Sequence, residues 1–200
     1  MGDYAKLRIG ILSEGSSDLS SLSIIVKRLI KKQGIEALID NSLSKPVNGP
    51  ISEKVIKLRT ALFIRGRLDI GLYFSDADRQ GFNKKKSFIR ECIGRFDDSW
   101  LDRAVIGIPD RNLEAWLLSD QDTAKEILGI YASEPLHHKE VKDPKIRLLR
   151  LASERGNDSL TPSLLRIQIA SQANLSTICK NSKSFQSFVD DLSMAMTRFK

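Results

Sequence analysis

Cysteine is scarce in this sequence. Cys92 and Cys179 are the only two among 200 residues, and neither has another Cys or a His at metal-ligand spacing. That argues against a structural zinc and suits a reducing, cytoplasmic setting. Long apolar runs are missing as well, so no membrane span is expected. Met1 to Ile11 lacks the basic head and apolar stretch of a signal peptide. Lys6 stands where an N-myristoylation signal needs Ser or Thr. No Gly-x-Ser-x-Gly nucleophile motif occurs, and there is no internal repeat or low-complexity segment.

What remains is an ordinary globular composition, 41% hydrophobic and 28% charged, long enough to bury one core. The net charge of +7 suits a polyanionic partner, although a basic surface alone does not identify one.

The apolar pattern alternates between short strands and helices. Strands are expected at Lys6–Ser13, Glu36–Asp40, Leu68–Ser75 and Arg103–Ile108, from compact apolar runs bounded by turn residues. Leu19, Leu22, Ile25, Val26 and Leu29 recur at helical spacing after the first strand, with Ser17 or Asp18 as cap. Further helices are expected over Ser52–Ile64, Asn83–Phe96 and from Leu113, while Asn41–Pro50 reads as a loop. Beyond Asp120 only helical patterns appear. The order implies an α/β fold with a mainly parallel four-stranded sheet, residues 1–120 forming the core and 121–200 a helical extension packed on it.

Parallel strands place all their carboxyl ends on one edge, where open α/β sheets bind ligands. The residues there are acidic. Glu14 follows the first strand, Asp76 and Asp78 the third, and Asp110 the fourth, with Glu114 a turn later. Asp18 and Asp110 also fit as helix caps. Clustered carboxylates repel one another, and a hard divalent cation, Mg²⁺ or Mn²⁺, relieves that repulsion. Gly15 allows a tight turn and close approach of a phosphate beside Glu14.

Ile9-Gly-Ile-Leu-Ser-Glu14-Gly15-Ser-Ser-Asp18, followed by Leu72-Tyr-Phe-Ser-Asp76-Ala-Asp78, resembles the Toprim domain of topoisomerases, primases, small ribonucleases and OLD-family nucleases. Ile108-Pro-Asp-Arg-Asn-Leu-Glu114-Ala-Trp-Leu-Leu-Ser-Asp120, Asp143-Pro-Lys145 and Ser184-Phe-x-x-Phe188 are similar to small stand-alone Toprim proteins akin to OLD nucleases. The resemblance implies a Rossmann-like Toprim core and a DNA-hydrolysing nuclease. Carried over by motif, Glu14, Asp76, Asp78 and Glu114 become metal ligands. Glu14 doubles as an acid–base candidate, and Lys145 becomes the cation beside the reacting phosphate. The chain lacks the Gly-x-x-x-x-Gly-Lys-Ser/Thr loop of full OLD proteins. Any ATPase is therefore expected on a separately encoded partner, in a setting such as bacterial anti-phage defence. Two other readings of the same site stay open: an RNA-processing ribonuclease, and a non-catalytic metal- and nucleic-acid-binding module that needs a partner.

Arg79 and the run Lys84, Lys85 and Lys86 sit just past the Asp pair, as a grip for a nucleic-acid backbone or as a solvated helix face. Lys27, Arg28, Lys31 and Lys32 read as the outer face of the first helix. His137 and His138 read as surface residues, Trp116 as core, and both cysteines as small buried hydrophobes.

Overall fold

A computed structural model of the chain describes residues 6–77, 81–129, 143–154 and 161–199. Asp78, Arg79, His137, His138 and Lys142 lie outside the described residues.

The strands are β1 (Leu7–Ser13), β2 (Ala37–Ile39), β3 (Lys45–Pro46), β4 (Ile70–Phe74) and β5 (Ala104–Gly107). They form one parallel sheet in the order β2-β1-β4-β5, with β3 also on β1. The four expected strands are present within a residue or two of their expected ends. β3 is the exception, because it falls inside the segment expected to be a loop. Ser44 explains it: its Oγ accepts the Ile11 N–H at 2.9 Å, filling the ladder between β2 and β3. Asp40 stabilises the preceding turn by accepting from the N–H groups of Ser42 and Leu43. Pro46 has no N–H to give, which an edge position tolerates.

Helices α1 (Ser16–Lys31), α2 (Glu53–Arg65) and α3 (Phe82–Phe96) alternate with the strands, and a 3-10 turn, Asp98–Arg103, leads into β5. The chain continues as α4 (Leu113–Leu117), α5 (Gln121–Leu128), α6 (Pro144–Glu154), α7 (Pro162–Gln172), α8 (Leu175–Asn181) and α9 (Lys183–Met196). Short polar side chains start the late helices. Asp143 Oδ1 accepts from Ile146 N–H, Thr161 from Leu164, Asn174 from Ser176 and Thr177, and Ser182 from Phe185. Each satisfies a first-turn donor that the helix itself leaves unpaired.

Two apolar layers cover the sheet. On one face Leu12, Tyr73, Ala104 and Ile106 pack with Phe63 of α2 and Ile89, Cys92 and Ile93 of α3. On the other, Ile9, Ile11, Leu72, Phe74 and Val105 pack with α1, α4 and the late helices. Trp116 is fully buried there, its ring against Phe74, Phe185 and Phe188. Its Nε1–H donates to Ser184 Oγ at 2.8 Å. The Ser184-Phe-x-x-Phe188 motif is thus the socket of Trp116. The residues after 160 supply part of the same core cluster as the sheet. No helix among the described residues is long and apolar enough to cross a membrane.

Candidate metal-binding edge

β1 and β4 are neighbours, with Leu12 opposite Tyr73. Continuing that register sets Glu14 beside Ser75, and the Ser75 hydroxyl donates to the Glu14 carboxylate. The Glu14 backbone is held too, because its carbonyl accepts the Asn48 N–H at 2.9 Å, just past β3. Beyond β4 the chain stays extended beside β5: Ser75 N–H donates to Gly107 O at 3.2 Å and Ala77 N–H to Pro109 O at 3.3 Å. Asp76, between them, is half-buried, as is Glu14. These two carboxylates therefore leave neighbouring strands at the same edge.

Gly15 has an ordinary extended φ of −123°, so turn strain is not why glycine stands there. A Cβ at this position would lie 2.9 Å from Asp18 Oδ2, and that carboxylate accepts the Gly15 N–H at 3.2 Å. Glycine admits the Asp18 side chain. Asp18 is not the N-cap of α1, a place Gly15 takes. Asp110 is not a cap either, since Asn112 occupies that position before α4.

Glu114, expected as a metal ligand, meets a cation of the fold itself. It is buried at 2% exposure and ion-paired to Arg166 of α7, itself 6% exposed. The other guanidinium nitrogen donates to Ser17 Oγ at 2.7 Å and lies 3.7 Å from Asp18 Oδ1. Burial pushes the Glu114 and Asp18 carboxyls above their ordinary pKa values, while the Arg166 guanidinium opposes the shift in both. The Lys145 ammonium opposes it as well. Lys145, on the first turn of α6, is exposed and within electrostatic reach of both acids. Among the described residues, no three His, Cys, Asp or Glu side chains converge tightly enough to hold a metal.

The lysine run splits three ways. Lys84 is exposed, Lys85 is buried, and Lys86 pairs with Asp191 at 2.8 Å and donates to Ser187 Oγ at 2.7 Å. Helical geometry separates consecutive residues by about 100°, so the three do not form one cationic face. Arg28 also departs from its expected solvated face. It donates to the carbonyls of Ala170 and Ala173, at 2.6 and 2.7 Å, tying α1 to the end of α7.

Sequence reasoning missed Arg166 and Ser75. Arg166 carried a signal: it interrupts an apolar stripe shared with Leu165, Ile169 and Ala170, and an Arg on a buried stripe needs a carboxylate. Ser75 is the residue before Asp76 and had no comparable signature. Comparisons of the chain with protein-family models, with curated proteins and with solved structures found no match.

Proposed function

We propose that this chain is a Toprim-like, Mg²⁺- or Mn²⁺-dependent nuclease that hydrolyses phosphodiester bonds of DNA. One observation carries the reading: adjacent parallel strands deliver Glu14 and Asp76 to the same edge, half-buried and oxygen-bearing. That donor set fits a hard cation that keeps several waters and binds through one or two carboxylates plus substrate phosphate. Glu14 and Asp76 would hold it, joined by Asp78.

A bound divalent cation supplies Lewis acidity at the phosphoryl oxygen and lowers the pKa of an attacking water. The chain's own residues do the rest. The Ser75 hydroxyl fixes the Glu14 carboxylate, so that little reorganisation is needed when substrate arrives. Lys145 projects from a helix N-terminus, where ammonium and helix dipole both attract a phosphate. Lys84 is the exposed member of its run and the one left to meet a nucleic-acid backbone. A partner ATPase remains part of the proposal through the absence of a P-loop in this sequence.

The test is hydrolysis of single- and double-stranded DNA, RNA and nucleotides by the purified chain, with and without Mn²⁺. DNA cleavage that needs Mn²⁺ and falls at least about a hundredfold in Glu14→Gln and Asp76→Asn supports the reading. Metal-independent cleavage, or unchanged cleavage by both variants, removes it. Selective cleavage of structured RNA moves the assignment to an RNA-processing ribonuclease.

A further inference from the structure

Arg166 does more than neutralise a buried acid. Its guanidinium binds Glu114 on α4 and, with the other nitrogen, Ser17 and Asp18 on the first turn of α1. Asp18 passes the constraint on by accepting the Gly15 N–H. The Gly15 carbonyl in turn accepts from the Ser13 hydroxyl at 3.0 Å. The residue spanned by these contacts is Glu14. A chain of hydrogen bonds thus runs from the late helical layer to the turn that aims the Glu14 carboxylate. A stability device needs less. A buried Glu–Arg pair is often replaceable by apolar residues with no loss of stability, and here Arg166 Nε is buried without a hydrogen-bond partner. The geometry is poor for holding the fold together, yet it reaches across three elements to one turn.

We infer that Arg166 is a positioning residue for the metal-binding edge, acting on Glu14 through Asp18 and Gly15. The inference rests on the proposed metal site for its purpose, but the relay itself is a property of the metal-free protein. The planar fork of Arg is what lets one side chain serve both carboxylates; an ammonium is a point charge and serves one of them well.

Two variants test it, Arg166→Lys and the paired Arg166→Gln/Glu114→Gln. The first keeps the charge, and the second removes the buried charges together, so that at least one retains a cooperative thermal transition. Amide hydrogen exchange at Gly15 is followed by NMR in the metal-free protein, with the amides of α9 as internal reference. The expected result is Gly15 exchange faster by at least about tenfold, the weight of one hydrogen bond to a charged acceptor, with α9 unchanged. In Arg166→Lys, which leaves every carboxylate in place, calorimetric Mn²⁺ affinity should fall about 10- to 100-fold, as when a partner behind a metal ligand is lost. Unchanged Gly15 exchange in a folded variant overturns the relay. Faster exchange with undiminished Mn²⁺ affinity overturns the positioning role. A wild-type chain that binds no Mn²⁺ refutes the metal reading instead, and the exchange result still decides the relay.

Discussion

Two pairs of acidic residues, Glu14 with Asp76 and Glu114 with Asp18, are treated in different ways. Glu14 and Asp76 leave β1 and β4 half-buried, with Ser75 orienting the first. Glu114 is buried and Asp18 half-buried, and both face the Arg166 guanidinium. A carboxylate near this edge can thus be matched by a cation of the fold itself. The late helices bring a guanidinium, that of Arg166, to Glu114 and Asp18.

The largest expected effect breaks the closed group. Arg166→Met leaves the buried Glu114 without its ion-pair partner, so it must stay poorly compensated or take up a proton. Removal of one partner from a buried pair costs about 3–5 kcal/mol, to be read from urea unfolding. A loss under about 1 kcal/mol would place the pair among solvent-screened bridges and dissolve the contrast. Next is Lys145→Met. It should leave the thermal midpoint unchanged while lowering Mn²⁺-dependent turnover at least about a hundredfold, the scale of one lost transition-state charge partner. Normal turnover would shift the search to Lys84 or to Arg79 and Lys142.

A smaller effect joins the two groups. At Gly15→Ala the new methyl must displace the Asp18 carboxylate, 2.9 Å away, and the bond to the residue-15 N–H is lost. The expected destabilisation is about 1–3 kcal/mol, accompanied by weaker Mn²⁺ binding. A variant as stable as wild type would mean that the carboxylate has room to move. The smallest effect is on pH dependence. The Asp18 and Glu114 pKa values are raised in the fold above the ordinary 3.8 and 4.5. Their contribution to stability is therefore fully present below those ordinary values and is lost as pH rises through the raised ones. The midpoint of wild type, compared with Asp18→Asn/Glu114→Gln, should fall relative to the variant as pH rises above the ordinary carboxylate values. A difference that is flat or grows with pH contradicts the direction of the shifts.

The sheet was legible because compact apolar runs such as Ile9–Leu12 and Ile70–Phe74 end in turn residues, and the alternation with helices left a parallel arrangement as the natural solution. The helix start at Asp143-Pro144 was legible through cap chemistry. β3 was hidden because Ser44 holds it to β1 through a side chain, which no backbone pattern announces. The edge position of Glu14 and Asp76 followed from strand ends. The partnership of Glu114 did not, because Arg166 is more than fifty residues away in sequence and only tertiary packing of α7 brings them together. How the lysine run divides was not legible for a local reason: charge counted along the chain ignores the rotation of the helix, which buries Lys85 and turns Lys86 to Asp191.

Calorimetric titration of Mn²⁺ into the metal-free chain, repeated with Asp76→Asn, addresses the central claim most directly. The account predicts saturable binding to wild type, accompanied by a rise in thermal midpoint through mass action. It predicts loss of both in Asp76→Asn, whose fold is otherwise intact. Equal binding by the two proteins would contradict it, since the ion would then sit somewhere other than the edge shared by β1 and β4.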